Sequence, residues 1–352
     1  MNRAGTIWQI VPRAPGGREG VGDYAQILAT RLEQMHGYAT IFVTGAAIAE
    51  ARSSEPPAAI VLHYVNYGYH SRGVPFRLLQ QLGRMQDQSG AKLITIFHEL
   101  SAAGTWRQSA FWLRPLQRRI ARAIARRSAA CLVSSPAVGE QLHHLSPASH
   151  IVVRPVISNF GEPRLPSAQI SDRDFARWVI CGGSELIERS LVSFLQIAPL
   201  IPAPHSPREL FVVGGIENAE IRARLDGLQN VRTHYYPNVD SSVAAEILST
   251  CVFAWIDYFR QPHVPMATIL KSSVFAAFCA HGVIPVFPQG GSAIELRGDT
   301  LPGPFFVSQS RHNLPAKSER ARVAQALHEW YGRNASSQCL ATIVQAAIER
   351  PA

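Results

Sequence analysis

The sequence predicts an α/β protein built from two doubly wound parallel sheets in tandem. Short β-branched runs alternate with helical patterns along nearly the whole chain, as in parallel strands joined by helical crossovers. A stretch rich in Pro, Ser and Gly, Pro155 to Ser171, interrupts the alternation once, after which it restarts. The 352 residues suit two domains at roughly 150 residues each.

In the first half, strands are expected near residues 6–11, 39–43, 59–63, 92–98, 130–134 and 150–153, with helices between them. The second series runs through Trp178 to Gly183, Glu209 to Val213, Val231 to Tyr235, Cys251 to Ile256 and Val283 to Phe287. Residues 318–349 are helical by periodicity. The expected organisation is a first domain over 1–155, a linker over 156–175, a second domain over 176–333 and a terminal helix over 334–352. Two such domains would face each other across a cleft at the carboxyl ends of their strands, where open α/β sheets bind ligands.

Composition narrows the function. Apolar residues at 47% and charged residues at 17% describe a globular chain and exclude wholesale disorder. Cys131, Cys181, Cys251, Cys279 and Cys339 are odd in number and widely spaced, which points to reduced thiols in a cytoplasmic protein. The first apolar run, Thr6 to Val11, is shorter than the about 7–15 residues of a signal peptide. A net charge of +9 favours anionic partners.

The strand ends carry the candidate chemistry. Gly20-Val-Gly22-Asp-Tyr-Ala25 fits G-x-G-x-x-A, yet Pro12 to Glu19 separates it from its strand, and the next strand ends in Thr44-Gly45 without an acid. A hydride-transfer enzyme is therefore disfavoured, while an anion at a helix N-terminus still fits. After the third strand come His63, Tyr64, Asn66, Tyr67 and Tyr69, and after the fourth come His98 and Glu99. Aromatic rings beside hydrogen-bonding groups suit a sugar or base face. His98 is the candidate general base, and Glu99 points to the other side of an extended strand. The scattered histidines supply no metal-ligand spacing, so no metal is expected.

In the second half Gly182-Gly183, Arg189, Gly214-Gly215 and Lys271-Ser272-Ser273 together suggest a phosphate pocket neutralised by side chains. Between the halves, residues 111–127 form a basic amphipathic helix, with Leu113, Leu116, Ile120 and Ile124 on one stripe and Arg118, Arg119, Arg122 and Arg126 mainly elsewhere. Two readings stay open: contact with an anionic membrane surface, or a solvated face over a core stripe. Nucleic acid is not expected, because no recognisable binding module accompanies the charge.

Pro15-Gly-Gly…Gly20-Val-Gly22-Asp-Tyr-Ala, His98-Glu99-Leu, Phe211-Val-Val-Gly-Gly215 and Ala280-His-Gly-Val-Ile-Pro-Val286 resemble, in order and spacing, the GT-B glycosyltransferases, particularly the retaining bacterial group. The resemblance implies two Rossmann-like domains, a nucleoside-diphosphate sugar held mainly by the second, a saccharide or lipid-linked acceptor held mainly by the first, and no cofactor. It places the donor phosphate near Gly20, Gly22 and Arg189, a catalytic histidine at His98, and a last helix crossing back to the first domain. The expected role is polysaccharide or other glycoconjugate synthesis in the cytoplasm, with peripheral contact at the inner membrane face through residues 111–127 as an open reading. In the retaining group two glutamates flank the donor; here those places hold Ile269 and Ala277. A noncatalytic nucleotide-binding or scaffold protein and a nucleotide-sugar epimerase are the alternatives.

Overall fold

The structure, a computed structural model, describes residues 4–16, 20–45, 47–48, 55–101, 109–261 and 263–350. The chain divides into two compact units, Met1–Pro155 with Ser337–Ala352, and Val156–Ser336.

The first unit contains β1 (Gly5–Val11), α1 (Gly20–His36), β2 (Tyr38–Thr44), β3 (Ala59–Tyr64), α2 (Asn66–Tyr69), α3 (Phe76–Ser89), β4 (Lys92–Phe97), α4 (Ser109–Arg127), β5 (Ser128–Val133), α5 (Pro136–Leu145) and β6 (Ile151–Val153). Its sheet is parallel throughout in the order β2-β1-β3-β4-β5-β6. Every residue of β3 is buried, as are the last five of β1 and of β4. That burial explains why these strands read as continuous apolar runs: helices cover both faces of a parallel sheet. Direction reverses between β1 and β3, which makes the carboxyl ends of those strands the unit's ligand-binding crevice by topology.

The second unit contains α6 (Ser167–Ser171), β7 (Arg177–Gly182), α7 (Ser184–Ile197), β8 (Glu209–Gly214), α8 (Ala219–Asp226), β9 (Arg232–Tyr236), α9 (Ser241–Thr250), β10 (Phe253–Trp255), α10 (Ser273–Ala280), β11 (Ile284–Phe287), a hairpin of β12 (Ile294–Leu296) with β13 (Asp299–Leu301), β14 (Phe305–Phe306) and α11 (Arg320–Asn334). The six-stranded sheet runs β14-β11-β10-β7-β8-β9, again parallel. Its reversal falls between β7 and β10. Trp178, Phe194, Phe253 and Trp255 fill the core beneath it, with Trp178 and Phe253 ring centres 4.8 Å apart. Both indoles satisfy their N–H: Trp178 donates to the His205 carbonyl and Trp255 to the Ser193 hydroxyl, each at 3.0 Å.

One expectation of organisation changes. Residues 156–175 are not a linker: Ile157 is fully buried, and the Ser158 N–H donates to the Tyr331 hydroxyl at 2.9 Å, which donates to Glu162 at 2.7 Å. Arg173 donates to the carbonyls of Cys251, His281 and Gly282. Composition suggested a tether because partners more than 70 residues away satisfy this segment's polar groups. The terminal helical region is two helices, α11 and α12 (Ser337–Glu349); α12 packs on α1 in the first unit. Four of the five cysteines are buried and all are free; burial pushes the thiols of Cys131, Cys181 and Cys251 up to about 12, which makes them inert.

Candidate functional site

At the carboxyl edge of the first sheet, three adjacent strands join in one polar relay. Gln9 of β1 and His63 of β3 are fully buried, and His63 Nε2 lies 2.8 Å from Gln9 Oε1. His63 Nδ1 lies 3.4 Å from Nε2 of His98, the residue that follows β4. The two imidazoles stack with 18° between their planes, and the Tyr24 ring of α1 meets both edge-on at 5.8 and 5.2 Å. With Gln9 Oε1 accepting, His63 carries its proton on Nε2 and offers Nδ1 to an Nε2–H of His98, leaving the His98 Nδ1 lone pair as acceptor. The His98 N–H is fixed by the Tyr64 carbonyl at 3.0 Å.

Burial pushes His98 down to about 4 and, with the neighbouring His98, holds His63 well below the usual imidazole range. Both rings are neutral at pH 7. His98 is therefore a hydrogen-bonding group and a weak base, which corrects its reading as a base tuned near neutrality. An unfolded imidazole protonates near 6.5, so between about 6.5 and about 4 the unfolded chain binds more protons than the fold and stability falls as pH falls. Thermal melts should show His98→Gln losing less Tm than the wild type between about pH 7 and about pH 5; equal losses would remove this linkage.

Of the expected acceptor contacts, His63, Tyr64 and Asn66 are fully buried and do not present their side chains to solvent. They occupy inward positions that a count along the sequence cannot separate from the rim. Tyr64 packs edge-on against Phe97, and burial followed by the Glu99 charge raises its phenol. Tyr67 and Glu99 are exposed, and the Tyr67 hydroxyl accepts from the buried Gln117 at 3.3 Å. Tyr69 instead ties strand ends together, donating to the carbonyls of Ile10 and His63. Gly20 opens α1, so Gly22 is a buried helical residue whose space is limited by Pro15, not part of a loop; residues 17–19 lie outside the described residues.

The second unit places Gly182 and Gly183 at the β7–β10 crevice and Gly214 and Gly215 at the end of the neighbouring β8. Gly182 ends β7, and Gly183 caps α7 with extended backbone, no side-chain cap and open space where a Cβ would stand. The first N–H groups of α7 thus receive no side-chain cap at a 14-residue helix, the electrostatic setting for an anion. Gly215 packs against Ser184, whose hydroxyl accepts the Ile216 N–H at 3.0 Å. Arg189 reaches from α7 to the segment after β10, donating to the carbonyls of Asp257 at 2.6 Å and Tyr258 at 3.0 Å. Its main observed role is to brace the crevice wall, not to stand free for a diphosphate. Burial raises the Asp257 carboxyl, and Ser190 Oγ accepts its N–H; this acid beside the crevice escaped sequence reasoning because one Asp in a loop carries no pattern.

The Lys271-Ser272-Ser273 group divides. Ser272 is buried and caps α10 by accepting the Phe275 N–H at 3.2 Å, Ser273 starts that helix half-buried, and Lys271 is exposed. Ile269 and Ala277 are fully buried, so the two places where the retaining group carries glutamates belong to the core. Among the described residues no cluster of three His, Cys, Asp or Glu side chains could hold a metal ion, and no helix is long and apolar enough to cross a membrane.

Two six-stranded parallel sheets with alternating helices, the second carrying a glycine turn at its reversal point, define a GT-B fold. Solved structures share it over almost the full chain. An alpha-glucosyltransferase in complex with UDP and a 13-mer DNA containing a HMU base matches at a TM-score of 0.60 and 10% identity, covering 98% of this chain and 100% of that one. HepE from Anabaena, in complex with UDP and glucose, matches at 0.58 and 10%, covering 99% and 100%. A putative UDP-N-acetylglucosamine 2-epimerase from Listeria monocytogenes matches at 0.52 and 11%, covering 98% and 95%. No family model matches the chain and no curated protein matches it in sequence.

Proposed function

We propose that this chain is a metal-independent glycosyltransferase that moves a sugar from a nucleoside-diphosphate sugar to an acceptor hydroxyl, in the assembly of a polysaccharide or other glycoconjugate at the cytoplasmic side of a membrane. The observation that carries the reading is the open Gly183 turn, placed on the uncapped N-terminus of α7 at the reversal of the second sheet. Backbone N–H groups and the helix dipole there suit a diphosphate and its growing charge as the sugar departs. The UDP complexes among the structural neighbours support a uridine nucleotide. On the first unit, His98 offers a neutral hydrogen-bonding ring to the sugar or acceptor hydroxyl, while Gln9 and His63 act behind it as positioning residues. Catalysis by this site rests on placement more than proton transfer.

A second reading has its own support. Buried Ile269 and Ala277 favour a protein that binds the nucleotide without turnover. A thermal-shift panel of UDP, GDP, ADP and their sugars tests both: ligand at about 100 times its Kd adds about 2.7 kcal/mol. UDP and UDP-sugars should raise Tm, and UDP release from a UDP-sugar should depend on an acceptor. No shift with any nucleoside diphosphate sinks both readings; a shift without UDP release favours the noncatalytic one, and sugar isomerisation without acceptor favours an epimerase.

A further inference from the structure

The basic helix α4 turns the expected amphipathic picture inside out. Ile120, Ala121, Ile124 and Ala125 are buried in the core of the first unit, with Leu113 packed against it, so of the expected apolar stripe Leu116 alone is open to a bilayer. The opposite face carries Trp112, Pro115, Arg119, Arg122 and Arg126 at successive helical turns, all exposed. Trp112 is 68% exposed, Phe111 and Leu116 are 39% exposed, and the Phe111 and Trp112 rings meet edge-on at 5.5 Å. The helix contains no acidic residue. Among the described residues, Arg119, Arg122 and Arg126 have no carboxylate within ion-pair distance, and an open concavity of 1170 Å³ runs along this face to Leu145.

We propose that this face of α4 docks the protein on an anionic phospholipid bilayer, with Trp112 at the headgroup level and Arg119, Arg122 and Arg126 on lipid phosphates. Guanidiniums pair well with phosphodiester oxygens. The exposed Trp112, Phe111 and Leu116 decide between a bilayer and a nucleic-acid backbone: the headgroup boundary buries an apolar end beside a cationic row, whereas a phosphate backbone leaves it in water. Docking in this way uses a folded, mostly charged face, so it is reversible and sensitive to salt.

Co-flotation with phosphatidylcholine vesicles carrying roughly 30% phosphatidylglycerol tests the surface. The wild type should bind at about 0.15 M salt and release at about 1 M. Because each arginine near an anionic surface is worth roughly fivefold in partitioning, Arg119→Gln/Arg122→Gln/Arg126→Gln should weaken binding about 100-fold. Trp112→Ala should weaken it about tenfold and abolish the blue shift of emission on vesicle addition. A charge-matched control on the second unit, Arg222→Gln/Arg224→Gln/Arg232→Gln, should bind within about twofold of wild type, since those arginines already face Glu217, Glu220 and Glu209. Equal loss in the control, equal binding to pure phosphatidylcholine, or binding of duplex DNA without vesicles would each overturn the proposal.

Discussion

Replacing His98 with alanine is expected to lower kcat about 100-fold, the scale of losing one well-placed positioning group, while UDP affinity stays within about twofold because the glycine turns lie on the other unit. His98→Gln, which keeps a hydrogen-bonding end, should recover part of that loss. Burial pushes the His98 ring down to about 4, so kcat in the wild type should show no ionisation of this residue between about pH 6 and about pH 8. His63→Phe keeps the volume and removes the link to Gln9 and His98; kcat should fall about tenfold with the donor KM unchanged. Steady-state kinetics with a UDP-sugar and its acceptor read all of these, and an unchanged kcat in His98→Ala removes the relay from the reaction.

Paired substitutions in the glycine turns should separate structure from binding. Gly214 sits at φ +101, and a Cβ there would stand 2.4 Å from the Gly182 carbonyl oxygen, a backbone atom that cannot swing away. Gly214→Ala is expected to cost about 2–3 kcal/mol, or about 5–10 °C in Tm for a unit of this size. Gly183 has φ −74 and open space around it, so Gly183→Ala should keep stability within about 1 kcal/mol. Its methyl would nevertheless stand where a diphosphate must approach the backbone, and UDP affinity should fall at least about tenfold. Calorimetry and titration decide both; a stable Gly183→Ala that binds UDP like wild type moves the diphosphate elsewhere.

The strands were legible because each is a local property. Expected and observed bounds agree within about two residues for β1 to β11; burial on both faces leaves an uninterrupted apolar run in central strands such as β3 and β7, while the part-exposed β9, Arg-Thr-His-Tyr-Tyr, shows itself by β-branched and aromatic residues. The two-residue β14 and the β12–β13 hairpin were missed because two or three residues have no period to detect. His98 stood out for its place after a strongly apolar strand, but its neutral state depends on burial that no neighbour in sequence supplies. Arg189 read as a phosphate ligand, yet its guanidinium braces carbonyls 68 and 69 residues away.

By itself the sequence determined the alternation of strands and helices, the two-sheet class and the glycines at strand ends, because backbone preference and apolar period act over a few residues. Only the tertiary structure decided which polar groups meet. Gln9 finds His63 across 54 residues, and most of the apolar stripe of α4 turns into the core so that its arginines face outward. Partnership and burial are set by how distant segments pack, and those two properties fix protonation, accessibility and therefore chemistry.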